Sequence, residues 1–195
     1  MDERAYYIHP QALVESDQIG SDTQIWAFAH ILKGASIGSL CNIGDHCYIE
    51  KGVKIGDEVV IKNGVSIWDG LTIEDLVFIG PNVSFTNDLF PRAKVYHDHY
   101  ESTLIRKGAS IGANATILCG ITLGSWCLVG AGSVVTKDVP DFAVVYGSPA
   151  KLRGWVCKCG KMLIFYEDKK TKCECGLEYF KSDSTIRILN PDEFL

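Results

Sequence analysis

The chain has 195 residues, of which 47% are hydrophobic and 22% charged, with a formal net charge of −5. This length allows one main domain with a small appendage. The acidic balance argues against a general nucleic-acid or membrane-surface partner, and no apolar run approaches the ~20 residues that span a bilayer. The first five residues carry two acids and no apolar stretch, so we expect a cytoplasmic protein without membrane insertion.

Hydrophobic residues recur at every sixth position along most of the chain. Leu13 precedes an unbroken series of isoleucines in the same frame, and Phe85 follows it. A second column of small or β-branched residues lies four positions after each of these anchors. The anchors between Leu13 and Phe85 are Ile19, Ile25, Ile31, Ile37, Ile43, Ile49, Ile55, Ile61, Ile67, Ile73 and Ile79, and the later ones are Ile105, Ile111, Ile117, Leu123, Val129 and Val135.

A period of six fits neither an α-helix nor a simple alternating strand. It fits a short strand and a corner, repeated three times in each triangular coil, so that residues 18 positions apart lie above one another at roughly 4.8 Å. The sequence therefore predicts an all-β fold, a parallel β-helix of stacked coils. Cys41, Cys47 and Cys127 fall in the small interior column and are expected to be buried, whereas Cys119 should face outward or into a subunit contact.

The period breaks between Phe85 and Ile105, and we expect residues 86–104 to project as a loop. Loops on rigid scaffolds often carry functional sites, although a tolerated surface insertion is the alternative. Asn87 remains in frame and faces outward. Asp69 lies one coil away, at roughly 5 Å. This spacing predicts a carboxylate and an amide side by side at the base of the loop.

Histidine is the side chain that most often serves as a general base. His97 and His99 lie in the predicted loop. His30 lies three coils, about 14 Å, from Ser84 by the same stacking, so it would reach only the site of a neighbouring subunit. The identity of the base stays open.

The C-terminal segment contains two matched cysteine pairs, each followed by glycine. They are Cys157-Lys-Cys159-Gly and Cys173-Glu-Cys175-Gly. Four thiols in this pattern suit a structural Zn²⁺ site on a two-stranded ribbon, with strands at 162–166 and 177–180. Disulfides are the alternative, disfavoured in the cytoplasm. We predict a β-helix domain over residues 1–154 and a zinc-ribbon-like tail over 155–195.

Several segments resemble motifs of bacterial hexapeptide-repeat sugar-nucleotide 3-N-acetyltransferases. The resemblance covers roughly residues 7–156. It rests on Ile25-Trp26 with His30, Ser66-Ile67-Trp68-Asp69, Phe85-Thr86-Asn87-Asp88 with Pro91-Arg92-Ala93, the run from Val129 to Pro140, and Gly147-Ser148-Pro149-Ala150.

This resemblance implies a left-handed β-helix that forms a homotrimer with active sites between subunits. It implies transfer of acetyl from acetyl-CoA to the 3-amino group of a nucleotide-linked amino sugar, for surface polysaccharide synthesis. Asn87 and Asp69 would serve the reaction, and some members lack a protein base. Asp88 favours a dTDP-3-amino-3,6-dideoxyhexose over a UDP-2-acetamido-3-amino uronate as the acceptor.

The resemblance also suggests binding residues. Substrate contacts are expected from Asp88, Arg92 and His30. Candidates for binding acetyl-CoA are Ala131, Ser133, Lys137, Pro149, Lys151 and Arg153.

Other functions compete with this reading. A non-catalytic β-helix could act as a scaffold or regulatory protein, and a related acyltransferase could use a different amine or hydroxyl acceptor through a loop histidine. A γ-class carbonic anhydrase needs three converging histidines, two of them five residues apart, and no two histidines here have that spacing.

Overall fold

The structure is a computed structural model that describes residues 6–95, 97, 99–183 and 185–190. This part of the chain is built from short strands. They are β1 (Tyr7–Ile8), β2 (Leu13–Val14), β3 (Gln24–Ile25), β4 (His30–Ile31), β5 (Ser36–Ile37), β6 (Asn42–Ile43), β7 (Tyr48–Ile49), β8 (Lys54–Ile55), β9 (Val60–Ile61), β10 (Ser66–Ile67), β11 (Leu71–Ile73), β12 (Phe78–Ile79), β13 (Ser84–Phe85), β14 (Thr103–Ile105), β15 (Ser110–Ile111), β16 (Thr116–Ile117), β17 (Thr122–Leu123), β18 (Leu128–Val129), β19 (Val134–Val135), β20 (Ala143–Gly147), β21 (Ala150–Val156), β22 (Met162–Leu163), β23 (Lys170–Lys172), β24 (Glu178–Ser182) and β25 (Thr185–Ile188).

Successive strands belong to three different sheets, which form the three faces of a prism. The first face has the order β1-β3-β6-β9-β12-β15-β18-β20 and continues into β21 and β22. The second has the order β2-β4-β7-β10-β13-β16-β19, and the third β5-β8-β11-β14-β17. The described residues contain no helix long and apolar enough to cross a membrane.

The pairing register reproduces the predicted coil. Ile25 pairs with Ile43, and Ile43 with Ile61, in parallel strands 18 residues apart. These isoleucines are fully buried and form one continuous core along the prism axis. Each coil buries its apolar side chains against its neighbours, which is the expected energetics of a solenoid. The predicted all-β fold of hexapeptide repeats, a parallel solenoid consistent with the left-handed β-helix, is confirmed.

The corners of the prism place one residue in six in the left-handed region of backbone conformation. This residue lies three positions after an anchor, and it is often not glycine: φ is 60° at Phe28, 59° at Leu40 and 58° at Trp126. Such a conformation costs a residue with a Cβ roughly 1–2 kcal/mol. The corners nevertheless persist because each one brings the next anchor back into the buried core.

The placement of Leu13 in the interior register was wrong. Val14 pairs with Ile31, and Leu13 is 55% exposed. The reason is that Val14 pairs 17 positions ahead whereas Ile19 pairs 18 positions ahead, so the corner between them has one residue fewer than the usual corner. The shorter corner shifts the first coil by one position and turns Leu13 outward.

The C-terminal segment begins with an antiparallel hairpin of β20 and β21, which extends the first face. β21 pairs with β22, and β23, β24 and β25 form a separate antiparallel sheet. The expected two-stranded ribbon is therefore wrong in detail: its first strand joins the solenoid and its second is the centre of a three-stranded sheet. The predicted domain boundary at residue 154 falls within β21 and stays a prediction.

Candidate active site

The predicted loop leaves the prism at the corner between the second and third faces. Phe85 pairs with Ile117, 32 positions away instead of 18, so the loop adds 14 residues to its coil. Its base is fastened at two points. The Glu101 N–H donates to the Asn87 carbonyl at 3.4 Å, and the Cys119 N–H donates to the Thr86 hydroxyl at 2.9 Å. The loop is thus held against the scaffold where Asn87 begins it.

A pocket of about 400 Å³ lies between the loop and the two coils below it. The coils and the loop contribute mainly charged and hydrogen-bonding side chains. The lining residues are Glu50, Lys51, Asp69 and Gly70 from the coils, and His97, His99 and Tyr100 from the loop.

Asp69 is held in place by its own corner. Its backbone N–H donates to the Glu50 carboxylate at 2.9 Å, and its Oδ1 accepts the Gly70 N–H at 2.9 Å. The same oxygen lies over Gly52, where a Cβ would collide with it. The carboxylates of Asp69 and Glu50 and the ammonium of Lys51 therefore border this pocket, and the excess of one negative charge favours a cationic amine.

Asn87 lines a second, smaller pocket of about 160 Å³. Asp88 beside it accepts the Phe90 N–H at 2.8 Å through Oδ1, and its Oδ2 lies 3.5 Å from His97 Nε2. His97, His99 and Tyr100 line both pockets. Within one chain, Asp69 and Asn87 thus line two neighbouring pockets that have these three loop residues in common.

Two of the predicted substrate contacts lie outside both pockets. His30 Nε2 lies 3.2 Å from Glu15 Oε1, and the pairings of His30 with Tyr48, Tyr48 with Ser66 and Ser66 with Ser84 put it three coils from the loop. Arg92 donates to the Pro91 carbonyl at 2.8 Å. In a single chain the His30 side chain does not reach Asn87.

The residues predicted to bind acetyl-CoA fall on different parts of the prism. Pro149, Lys151 and Arg153 lie on the β20–β21 hairpin, where Arg153 sits over the Tyr146 ring at 5.2 Å. Ala131 is exposed at a corner after the first face. Lys137 follows the second face, two coils beyond the base of the loop.

Ser133 differs from the other cofactor candidates because it is buried, with 1% exposure. Its hydroxyl donates to the Gly130 carbonyl at 2.6 Å. It holds the corner that exposes Ala131 and Gly132. Any contact with a ligand at this corner would come from neighbouring backbone rather than from the Ser133 side chain.

The cysteines follow the predictions with one exception. Cys41, Cys47 and Cys127 are buried in the core, and burial raises the pKa of Cys47 to about 11 and that of Cys127 to about 12. Such thiols are poor nucleophiles. Cys119 was expected to face outward or into a subunit contact, but it is 3% exposed within the chain, and its N–H donates to the Thr86 hydroxyl at the base of the loop.

The four tail cysteines converge. Their Sγ atoms all lie within 4.8 Å of one another, in the part of the chain that the structure describes. Cys157 and Cys173 are buried, whereas Cys159 and Cys175 are exposed.

Glu50 and Tyr100 line the pockets but were not among the predicted site residues. Glu50 had a detectable signal, because the spacing that puts Lys51 one coil below Asp69 puts its neighbour Glu50 there as well. Tyr100 had none, since the loop has no period from which the position of a side chain could be inferred.

Comparison with known proteins agrees with this architecture. The family model for the bacterial transferase hexapeptide (six repeats) matches residues 18–51 and 102–137. The dTDP-3-amino-3,6-dideoxy-alpha-D-galactopyranose 3-N-acetyltransferase of Aneurinibacillus thermoaerophilus is 53% identical over 183 residues, which is 94% of this chain and 95% of that protein.

Solved structures show the same fold. A hexapeptide-repeat containing acetyltransferase from Vibrio cholerae O1 biovar eltor, complexed with acetyl coenzyme A, is 32% identical with a TM-score of 0.52, over 59% of this chain and 67% of that one. The acetyltransferase domain of PglB from Neisseria gonorrhoeae FA1090 is 24% identical with a TM-score of 0.51, over 74% of this chain and 56% of that one, and shows the fold alone. Because the first relative is 53% identical over nearly the full length of both proteins, the chain belongs to the hexapeptide-repeat family of sugar-nucleotide N-acetyltransferases.

Proposed function

We propose that this enzyme transfers acetyl from acetyl-CoA to the 3-amino group of a dTDP-linked 3-amino-3,6-dideoxyhexose. The observation that carries the proposal is the 53% identity over 94% of the chain with a transferase of that specificity. Acetyl-CoA as donor is supported by the related acetyltransferase solved with it. A role in surface polysaccharide synthesis and a cytoplasmic location stay predictions from the sequence.

The chemistry proposed is attack of the neutral sugar amine on the thioester carbonyl, which forms the C–N bond, breaks the C–S bond and releases CoA as its thiolate. Asp69 and Glu50 would stabilise the ammonium that forms when the new C–N bond is made, since both carboxylates border the larger pocket. The Asn87 amide would orient the amine or the thioester sulfur. Holding the two reactants together supplies much of the rate acceleration in such a transfer.

The loop histidines are the candidates for accepting the proton that the ammonium loses. His97 and His99 line both pockets, and the Asp88 carboxylate lies close to one ring nitrogen of His97. A carboxylate next to an imidazole fixes the orientation of the ring. Proton transfer to the thiolate or to solvent is the competing route.

We also propose that the enzyme is a homotrimer with its active sites in the clefts between subunits. The support is geometric. In one chain the β20–β21 hairpin and Lys137 lie on different parts of the prism, and Asn87 stands at the loop corner. A neighbouring prism would bring a second set of these residues to the open side of the two pockets.

The first experiment is a thiol-release assay with acetyl-CoA and a panel of dTDP- and UDP-linked amino sugars. Rapid release with one dTDP-linked 3-amino sugar is the expected result. If acetyl-CoA binds but no amino sugar is acetylated, the proposed class of acceptor is wrong. Absence of acetyl-CoA binding would leave the non-catalytic scaffold as the better reading.

Two variants test the assigned residues. Asp69→Asn keeps an oxygen for the Gly70 N–H but removes the charge, and Asn87→Ala removes the amide. We expect each to lower kcat/KM by about 100-fold, the effect of losing one electrostatic group at a reacting centre. Glu58→Gln, which removes a charge from an exposed corner outside both pockets, serves as the matched control. Near-normal kcat/KM in both site variants would rule out these roles.

The loop histidines need a separate comparison. His97→Ala and His99→Ala should lower kcat by about 10²-fold or more if either ring takes the proton. If a hydroxyl acceptor is added to the panel and the variants lose activity only with that acceptor, a hydroxyl group is the natural acceptor. Unchanged kcat in both variants would point to the thiolate or solvent as the proton acceptor.

A further inference from the structure

The two cysteine turns of the tail have the same backbone geometry. The Cys157 N–H donates to the Lys161 carbonyl at 2.9 Å, and the Gly160 N–H donates back to the Cys157 carbonyl at 2.9 Å. In the second turn Cys173, Leu177 and Gly176 make the equivalent bonds at 2.8 and 2.9 Å. Both glycines have positive φ, 86° and 99°, which a side chain would strain. Each turn therefore presents its two thiols on the same side.

The sulfur geometry fits a metal better than disulfides. The Cys157 and Cys175 Sγ atoms lie 3.4 Å apart, and those of Cys159 and Cys173 lie 3.5 Å apart. A disulfide requires about 2.0 Å. Tetrahedral coordination with Zn–S bonds of about 2.3 Å separates the sulfurs by roughly 3.8 Å. Both close pairs join one turn to the other, as a shared ion would require.

The chemistry of the donors selects the metal class. Four thiolates favour zinc or iron and disfavour calcium and magnesium, which take oxygen ligands. Four protein ligands also leave no open position, so the ion would be structural and not catalytic. The cluster belongs to the tail, and its residues line neither of the two active-site pockets.

A buried tyrosine connects this cluster to the end of the solenoid. Tyr179 is fully buried, its hydroxyl donates to Cys157 Sγ at 3.1 Å, and it accepts the Lys158 N–H at 3.1 Å. Its ring packs edge-on against Phe142 at a centroid distance of 5.7 Å. Phe142 belongs to the last coil, and its carbonyl accepts the Val156 N–H at 2.9 Å.

The two turns belong to different sheets. Cys157 follows β21, which extends the first face of the prism, whereas Cys173 follows β23 of the separate three-stranded sheet. An ion between the turns would join these sheets directly over the last coil. Solenoids need such a cap, because the final coil has no further coil to cover its core.

We propose that Cys157, Cys159, Cys173 and Cys175 bind one structural Zn²⁺ that fastens the C-terminal segment over the end of the solenoid. The site is independent of the acyl-transfer reaction, so its test needs no measurement of activity.

The first test is the metal content of the full-length protein purified under reducing conditions. We expect about one zinc per chain, falling below about 0.1 in Cys159→Ser and Cys175→Ser, because a structural thiolate site binds zinc tightly. Cys41→Ser is the matched control: it changes a buried thiol that bonds the Gly56 carbonyl, far from the tail, and a hydroxyl can replace that bond. It should keep its zinc.

Three results would overturn the metal assignment. One is less than about 0.1 metal atom per chain in the wild-type protein. Another is stoichiometric iron with visible thiolate-to-iron absorption. The third is a mass spectrum in which the four tail cysteines become alkylated only after treatment with a reductant, which would identify disulfides.

The fastening role is tested by hydrogen exchange before and after removal of the metal with a strong chelator. Amides of β20, β21 and β24 should lose protection, whereas those of β6 and β9 in the middle of the solenoid should keep it. If zinc is present and its removal leaves the last coil equally protected, the cap is held by its apolar contacts and the fastening role is wrong.

Discussion

The corner that carries the loop has glycine at its left-handed position in every regular coil near the site. Gly34, Gly52, Gly70 and Gly120 have φ of 91°, 78°, 89° and 79°. The other two corners mostly use larger residues there, such as Phe28 and Leu40, although Gly64, Gly108 and Gly132 also occur. Left-handed backbone alone therefore does not require glycine in this protein. At Gly52 the additional requirement is space, because the Asp69 carboxylate occupies the position of a Cβ.

This difference allows a matched pair of substitutions to test Asp69. Gly34→Ala and Gly52→Ala both add a Cβ at positive φ, and each should lower the free energy of unfolding by about 1 kcal/mol. Only Gly52→Ala would push the Asp69 carboxylate aside, since the nearest atom to a Cβ at Gly34 is 4.0 Å away. We expect kcat/KM to fall by about 10-fold or more in Gly52→Ala and to stay within about twofold in Gly34→Ala, because a small displacement of a reacting group is costly. Thermal melts and steady-state kinetics measure the two effects separately, and equal kinetics in both variants would show that the position of Asp69 is unimportant.

At the scale of single residues, the sequence predicts which side chains stack above one another in the coils better than it predicts their individual contacts. The spacing of 18 places Lys51, Asp69 and Asn87 in one outward column, and the pairing of Ser66 with Ser84 agrees with that stacking. It does not predict that Asp69 turns toward Gly52 and Gly70, or that His97 lies beside Asp88. Those positions depend on side-chain hydrogen bonds, about which a repeat period carries no information.

At the scale of elements, the loop is a separable insertion in an otherwise regular coil. β14 begins at Thr103, whose side chain is buried at 3% exposure in the small interior column. The sequence predicts where the frame breaks and where it resumes. The path of the chain between these points could not be predicted, because the loop has neither a period nor a core of its own.

Deleting residues 88–101 tests this separation. The deletion removes 14 residues, so Ile105 would follow Phe85 by six positions and Thr103 would keep its interior place. Ser102 would occupy the left-handed corner position, and Ser102→Gly in the same variant removes that strain.

We expect this deletion variant to keep an intact β-rich circular dichroism spectrum and a melting temperature within a few degrees of wild type, since shortening a surface loop changes stability by only about 1 kcal/mol. Acetyl transfer should be lost. An unfolded product would mean that the loop is needed for the fold, and retained activity would exclude it from the site.

At the scale of the whole molecule, regular spacing predicts most of the architecture. One period of six accounts for three parallel faces, a continuous isoleucine core and the 18-residue register. The two ends depart from it, through the short corner after Val14 and the sheets added after Val145. The structure at the two ends of the solenoid is determined by how the exposed core is covered there and not by the repeat, so periodicity could not predict it.

The proposed trimer makes a prediction that a single-chain active site does not. If Asn87 comes from one subunit and the β20–β21 hairpin from its neighbour, two inactive variants should complement each other. One parent is Asn87→Ala, and the other combines Lys151→Ala with Arg153→Ala, each purified alone first to establish that it is inactive. Co-expression of the two in equal amounts should restore about one quarter of the wild-type sites. In a closed ring the two subunits that border a cleft are chosen independently, so the two intact sets of residues meet in about one cleft in four. Light scattering should give a mass near three times the 21.5 kDa of the chain. Mixtures that stay inactive, in particles of that mass, would place all of these residues in the same subunit's site.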